Sequence, residues 1–91
     1  MIITDCFSGL GGSLSMNDSE KQKIAELIKS ADERYGVNNG SQEKVKFILN
    51  ASRNEGTSIH YYVHWDLCFS VTSEQVRFSF ERLRRRVGLV T

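Results

Sequence analysis

Several residues of metal-binding or acid–base type lie at even-numbered positions of one stretch, namely His60, His64, Asp66 and Cys68. Imidazole, carboxylate and thiolate groups bind zinc, and a histidine oriented by an aspartate is an acid–base pair. On one face of a strand, alternate residues lie about 6.7 Å apart, so His64, Asp66 and Cys68 are the candidate metal ligands. The sequence offers neither a further Cys or His cluster for the usual fourth ligand nor a nucleophile beside a base. We therefore expect no metal, cofactor or catalytic residue, and a metal-dependent enzyme ranks last among the functional hypotheses.

The element predicted to carry these residues is a long amphipathic strand over residues 59–71. Every odd position in it is apolar, and a period of two is typical of a strand with one buried face. At about 3.3 Å per residue the strand would span ~43 Å, far more than a usual strand. Because so long an exposed edge favours pairing with a second copy, we predict a homodimer, with a bent strand in a monomer as the alternative. The predicted dimer strand consists of Ile59, Tyr61, Val63, Trp65, Leu67 and Phe69.

A helical hairpin is predicted before this strand. Asn17 or Asp18 can cap a first helix that runs to about Tyr35, and Gly36 ends it. Ser41 can cap a second helix. Apolar residues recur at helical spacing in both segments, and the loop between them is short, so the two helices should pack antiparallel.

A basic helix is predicted after the strand. Thr72 and Gln75 have the spacing of a capping box, and Gly88 follows the last apolar position. An arginine-rich helix with an outward aromatic ring can bind phosphates and stack a base. The alternative is that the arginines complement the helix dipole while Phe78 is buried against another element. The predicted contacts to a partner or to nucleic acid are Arg77, Phe78, Arg82, Arg84, Arg85 and Arg86.

Residues 68–90, CFSVTSEQVRFSFERLRRRVGLV, resemble the turn, recognition helix and exit of winged helix-turn-helix regulators. The resemblance includes Val71 and Thr72 before the helix and its apolar positions. It departs from the family at Ser70, where a glycine is usual, and at Asp66, where a small residue is expected. The predicted strand also occupies the place of the family's preceding helix. The resemblance implies that the residues facing the DNA major groove are Ser73, Glu74, Gln75, Arg77 and Phe78.

Residues 5–15, DCFSGLGGSLS, resemble the first motif of DNA cytosine methyltransferases, which implies a cofactor-binding turn after a strand. The family's catalytic domain requires a Pro-Cys pair and several strand–helix–strand units of ~30 residues each. This sequence of 91 residues contains no proline, so a working methyltransferase domain is excluded. We predict instead that residues 1–15 form an arm with a short strand and a Gly/Ser hinge. The matching residues are Asp5, Phe7, Ser8, Gly9, Gly11 and Gly12.

The composition is that of an ordinary globular domain, and the net charge of +1 excludes a polyanion-binding role for the molecule as a whole. No signal peptide or membrane span is recognised, so a cytoplasmic location without a membrane partner is expected. The predicted fold class is α+β: a short N-terminal strand, a helical hairpin, one long strand and a C-terminal basic helix, with residues 16–91 as a single small domain.

The predicted function is non-enzymatic binding, with self-association through residues 59–71 and an external partner that is unknown. A protein partner is favoured, and a nucleic-acid-binding regulator is the alternative. A nucleic-acid binder requires Phe78, Arg82 and Arg85 to be exposed together. A protein-binding module requires Phe78 and the aromatic residues around Trp65 to form one apolar patch.

Overall fold

A computed structural model describes residues 16–89, which form four α-helices. Every pair of these helices is in contact. The predicted α+β class is wrong, because residues 16–89 contain no β-strand, and the strand and hinge predicted for residues 1–15 lie outside the described range. None of the four helices is long and apolar enough to cross a membrane. The helices are α1 (Asp18–Tyr35), α2 (Gln42–Arg53), α3 (Thr57–Leu67) and α4 (Ser73–Arg86).

The segment predicted as a long strand is α3 with the turn that follows it. Residues two apart on a helix point in directions roughly 200° apart, so the alternating apolar residues divide into two rows on opposite faces. A helix also satisfies its own backbone N–H and C=O groups, whereas a long strand needs neighbouring strands. The strand edge on which the predicted dimer depended is therefore absent from residues 16–89. The buried row is Ile59, Val63 and Leu67, and the exposed row is Tyr61, Trp65 and Phe69.

The predicted helix starts are confirmed, because their caps are local in sequence. The Asn17 side chain accepts a hydrogen bond of 2.8 Å from the Glu20 backbone N–H, and the Glu20 carboxylate accepts one from Asn17. The Thr72 side chain likewise caps α4, with Gln75 completing a capping box. Such caps satisfy backbone N–H groups that have no partner inside the helix.

The core lies between the four helices and leaves three sides of α4 outside it. Its apolar stripe, Val76, Phe80, Leu83 and Val87, is buried as predicted. The other three helices contribute a few aliphatic residues each, and burial of each such side chain is worth about 1.5–3 kcal/mol. Because α4 is held by one stripe, its two flanks and its outer face carry polar and aromatic side chains. The other buried apolar residues are Met16, Ile24, Ile28, Ala31, Val45, Ile48, Ile59, Val63 and Leu67.

Candidate functional site

One flank of α4 carries a closed ion-pair cluster, here called the Asp32 cluster (Asp32, Lys44 and Arg84). Lys44 Nζ lies 2.8 Å from Asp32 Oδ1, and Arg84 Nη2 lies 2.6 Å from the same oxygen. Lys44 Nζ also donates to the carbonyls of Gly36 and Val37, at 2.7 and 3.2 Å. The three donors of the ammonium group therefore have three acceptors, and Lys44 is completely buried. This cluster joins α1, α2 and α4, and its lysine has no donor left for a ligand.

The opposite flank of α4 carries an open cluster, here called the Asp66 cluster (Asp66, Arg82 and Arg86). Arg82 Nε lies 3.0 Å from Asp66 Oδ1, and Arg86 Nε lies 2.9 Å from Oδ2. The Asp66 side chain is 1% exposed, but that of Arg82 is 56% exposed. Within residues 16–89, Nη1 of Arg82 and both terminal nitrogens of Arg86 donate no hydrogen bond. Asp66 is therefore buried, whereas the guanidinium groups of Arg82 and Arg86 have N–H donors available for a ligand.

A groove between α3 and α4 brings the Asp66 cluster together with exposed aromatic rings. Trp65 and Phe69 line it with Arg82 and Arg86, and the adjoining part is lined by Phe78 as well. Trp65, Phe69 and Phe78 are 51%, 86% and 61% exposed. We call this surface the α3–α4 groove, and it combines aromatic walls with guanidinium groups.

Each wall of the α3–α4 groove is a row of residues spaced four apart, which places them on one edge of a helix. The α3 wall is Trp65, continued by Phe69 in the turn. Tyr61 extends this row beyond the groove lining, and its ring centroid lies 6.0 Å from that of Trp65. The α4 wall is Phe78, Arg82 and Arg86.

The turn that carries Phe69 is held in place by hydrogen bonds from other elements. Gln42 Nε2 on α2 donates to the carbonyls of Ser70 and Val71, at 2.9 and 3.2 Å. The hydroxyl groups of Ser70 and Ser79 are also hydrogen-bonded to each other in the interior. The exposed Phe69 ring therefore stands on a fixed backbone, which lowers the entropy cost of binding through it.

The six residues predicted to contact a partner have different surroundings. Phe78, Arg77, Arg82 and Arg85 are exposed, so the exposure required of a nucleic-acid binder is present. Phe78 also lines one groove with Trp65, as required of a protein-binding module. However, three of the five arginines are in ion pairs with aspartates, namely Arg82, Arg84 and Arg86. The exposure that each hypothesis requires is present, so the ion pairs of the arginines are the feature that separates nucleic-acid binding from protein binding.

The metal candidates are not brought together. His64, Asp66 and Cys68 are two residues apart on and just after a helix, so Asp66 points away from the other two. His64 and Cys68 are exposed, whereas Asp66 is buried against two arginines. Over residues 16–89, no three His, Cys, Asp or Glu side chains are placed to hold a metal ion.

His60 and Ser52 form a pair that superficially resembles a base with its nucleophile. His60 Nδ1 lies 2.9 Å from Ser52 Oγ. Ser52 Oγ also lies 2.8 Å from the Leu49 carbonyl oxygen, so its single hydrogen has a backbone acceptor as well as the histidine ring within reach. Because Ser52 is also fully buried, this pair links α2 to α3 and presents no nucleophile.

Tyr62 lies next to the aromatic row on α3 and has a shifted ionisation. Burial raises the pKa of the Tyr62 phenol, and the carboxylate of Glu20 and the phenol of Tyr61 raise it further, while Arg86 acts in the opposite direction. Tyr62 is therefore neutral at physiological pH and adds no negative charge beside the groove.

Sequence reasoning missed Asp32 and the buried lysine, and it singled out Asp66 only as a metal ligand and not as the partner of two arginines. Lys44 lies four residues before Ile48 and eight before Ser52, on the buried face of α2, and this spacing was a usable signal. Asp66 lies three residues after Val63, on the buried face of α3, but only a helical reading of that segment reveals it.

Comparisons of this chain with protein-family models, with curated proteins and with solved structures found no match. The functional conclusion therefore depends on the geometry of the α3–α4 groove.

Proposed function

We propose that this chain is a protein-binding module whose recognition surface is the α3–α4 groove. The observation that carries the proposal is that Trp65, Phe69 and Phe78, each more than half exposed, line the same groove. Large apolar side chains are normally buried, and burying one is worth about 1.5–3 kcal/mol. Aromatic residues and arginine are also the types that contribute most to protein–protein binding energy.

The charges around α4 support a protein partner over nucleic acid. Binding to a phosphate backbone depends on cations that are not already neutralised. Arg82 and Arg86 share Asp66, and Arg84 is paired with Asp32. The exposed surface of α4 also carries Glu74 and Glu81 among its remaining arginines, so it lacks a continuous run of uncompensated cations that could follow a phosphate backbone. The excess positive charge is local to the α3–α4 groove, where two arginines share one aspartate.

The test is the selection of a random-peptide phage library on the immobilised chain, on a Trp65→Ser/Phe69→Ser variant and on Val37→Ser. Val37 is an exposed apolar residue on the other flank of α4 and is the matched control. We expect peptides that bind the wild type and Val37→Ser but not the double variant, with circular dichroism showing all three folded. If no peptide is enriched, or if enriched peptides bind the double variant equally, the proposal is wrong.

A nucleic-acid-binding function is the second candidate, and one observation favours it. A helix does precede α4 across a short turn, which the resemblance to winged helix-turn-helix regulators requires. The five residues that the resemblance places toward DNA are all exposed, namely Ser73, Glu74, Gln75, Arg77 and Phe78.

This second candidate is tested by the fluorescence anisotropy of labelled double-stranded DNA at several salt concentrations. Arg77→Gln/Arg85→Gln removes two arginines that have no ion-pair partner in the described range. Binding that weakens steeply with salt and is lost in this variant would replace the protein-binding proposal. We expect no such binding.

A further inference from the structure

We infer that the partner of the α3–α4 groove is an acidic amphipathic helix, with an apolar face flanked by Asp or Glu side chains. This inference rests on the proposed protein-binding function and names the chemistry of the partner.

The two walls of the groove offer different contacts. The α3 wall presents the rings of Trp65 and Phe69, with the exposed Tyr61 ring next to Trp65, and these rings can take apolar side chains. The α4 wall presents Arg82 and Arg86 beyond Phe78. A partner that matches both walls has apolar residues along one side and carboxylates along the adjoining side.

The arginines of the α4 wall are arranged to accept a further carboxylate. Both use Nε, the nitrogen nearest the side-chain stem, to bind Asp66. In the described part of the chain, three of their four terminal nitrogens donate no hydrogen bond. Asp66, the one acid that lines the groove, is 1% exposed, so an incoming carboxylate does not meet an exposed negative charge. Hydrogen bonds from arginine to a carboxylate are among the strongest that side chains form.

The opposite flank of α4 shows no preference for an acidic partner. The depression there shares Phe78 with the groove, and its charged lining residues are Glu74, Glu81, Arg77 and Arg84, of which Arg84 is already bound to Asp32. Charges of both signs at the surface give no preference for an acidic partner over a basic one. Of these two surfaces, therefore, only the α3–α4 groove prefers an acidic partner to a basic one.

The charges also disfavour a second copy of this chain as the occupant. In a twofold dimer the same patch faces itself, so Arg82 and Arg86 of one copy would approach those of the other. Like charges at an interface raise its energy. A separate acidic segment avoids this repulsion.

The spacing of the walls fits a helical segment. Tyr61, Trp65 and Phe69 extend over about two helical turns, or roughly 12 Å. An amphipathic helix that lays its apolar face in a groove uses anchors at the same four-residue spacing. We therefore expect a segment of about three turns, with apolar residues three or four positions apart.

The experiment compares two phage libraries of amphipathic helical peptides on the full chain. Both have identical apolar positions, and the flanking positions are Asp/Glu in one library and Lys/Arg in the other. Enriched peptides are synthesised and titrated while the emission of Trp65, the only tryptophan in the chain, is recorded. We expect the acidic peptides to bind at least about tenfold more tightly, with affinity that falls as salt is added.

Two arginine variants locate the charge effect. Arg82→Gln should weaken binding of the acidic peptides roughly fivefold, whereas Arg77→Gln on the other flank should leave it unchanged. Thermal melts of both variants establish that the fold is retained. An equal effect of the two substitutions would overturn the assignment of the carboxylate contacts to the groove.

The outcomes separate this inference from the proposed function. If acidic and basic peptides bind equally through Trp65, the chain is a protein-binding module but the inferred acidic partner is wrong. If neither library is enriched, both proposals are wrong. If sedimentation velocity shows a dimer that Phe69→Ser dissociates, the occupant is a second copy and the inference is overturned.

Discussion

The two flanks of α4 each hold one aspartate and two cations, yet they differ in what they leave at the surface. In the Asp32 cluster, Lys44 is completely buried and spends its three donors on Asp32 and two backbone carbonyls, while Arg84, 13% exposed, binds Asp32 and the Val37 carbonyl through Nη2. In the Asp66 cluster it is the acid that is buried, while Arg82 extends into solvent beside exposed rings.

Ion-pair composition therefore does not distinguish a structural cluster from a binding surface. What distinguishes them is which partner reaches solvent and what lies next to it. A buried cation needs its counter-charge for the fold to be stable, whereas an exposed cation over a buried acid can also bind an external group. The predictions below test that difference.

The largest expected effect is the loss of stability in Asp32→Asn. This substitution leaves Lys44 buried without a full counter-charge, and breaking such a pair costs about 3–5 kcal/mol. Asp66→Asn should cost about 1–2 kcal/mol, because Arg82 and Arg86 can turn toward water. Urea unfolding of both variants gives the comparison. Equal losses would show that the two clusters do not differ in this way.

The next largest effect is on peptide binding at the α3 wall of the groove. Phe69→Ser should change the free energy of unfolding by less than ~0.5 kcal/mol, since the ring is almost fully exposed. It should weaken binding of groove-selected peptides by ~2 kcal/mol, the size expected of an interface hot spot. Calorimetric titration against wild type and Val37→Ser provides the measurement and its control. A large stability loss in Phe69→Ser would instead assign the ring to the fold.

The smallest effect is a gain of affinity in Asp66→Asn. Removing the buried negative charge makes the groove more positive, so acidic peptides should bind about two- to fivefold more tightly, a difference of about 0.5–1 kcal/mol. The same substitution should not improve the binding of basic peptides. Titrations at low and high salt would show whether the gain is electrostatic, because added salt should reduce it.

The sequence predicted some of this molecule well because several of its signals are local. The capping residues Asn17, Ser41 and Thr72 start helices where expected, and the buried stripe of α4 follows its helical spacing. These features depend on neighbours a few residues away, so no knowledge of the tertiary fold is needed to recognise them.

The error at α3 has a physical cause. Two rows of four-residue spacing that are offset by two residues together give a two-residue spacing, so two apolar rows on opposite faces of a helix resemble one face of a strand. Ile59 and Val63 are buried, while Tyr61 and Trp65 between and after them are exposed. A rule that expects apolar residues to be inside cannot recognise the second row, and that row is a wall of the proposed site. The partners of Asp66 are also 16 and 20 residues away, beyond any local pattern.

The most direct test of the central claim is a ¹⁵N-labelled NMR titration of the full chain with an acidic amphipathic peptide from the library. Binding in the α3–α4 groove predicts saturable shifts of the Trp65 indole N–H and of the backbone amides of Phe69 and Arg82. The amide chemical shifts of Val37 and Lys44, on the flank that carries the Asp32 cluster, should not change. Shifts concentrated on the Val37 side, or no shifts at saturating peptide, would contradict the assignment of the α3–α4 groove as the binding surface.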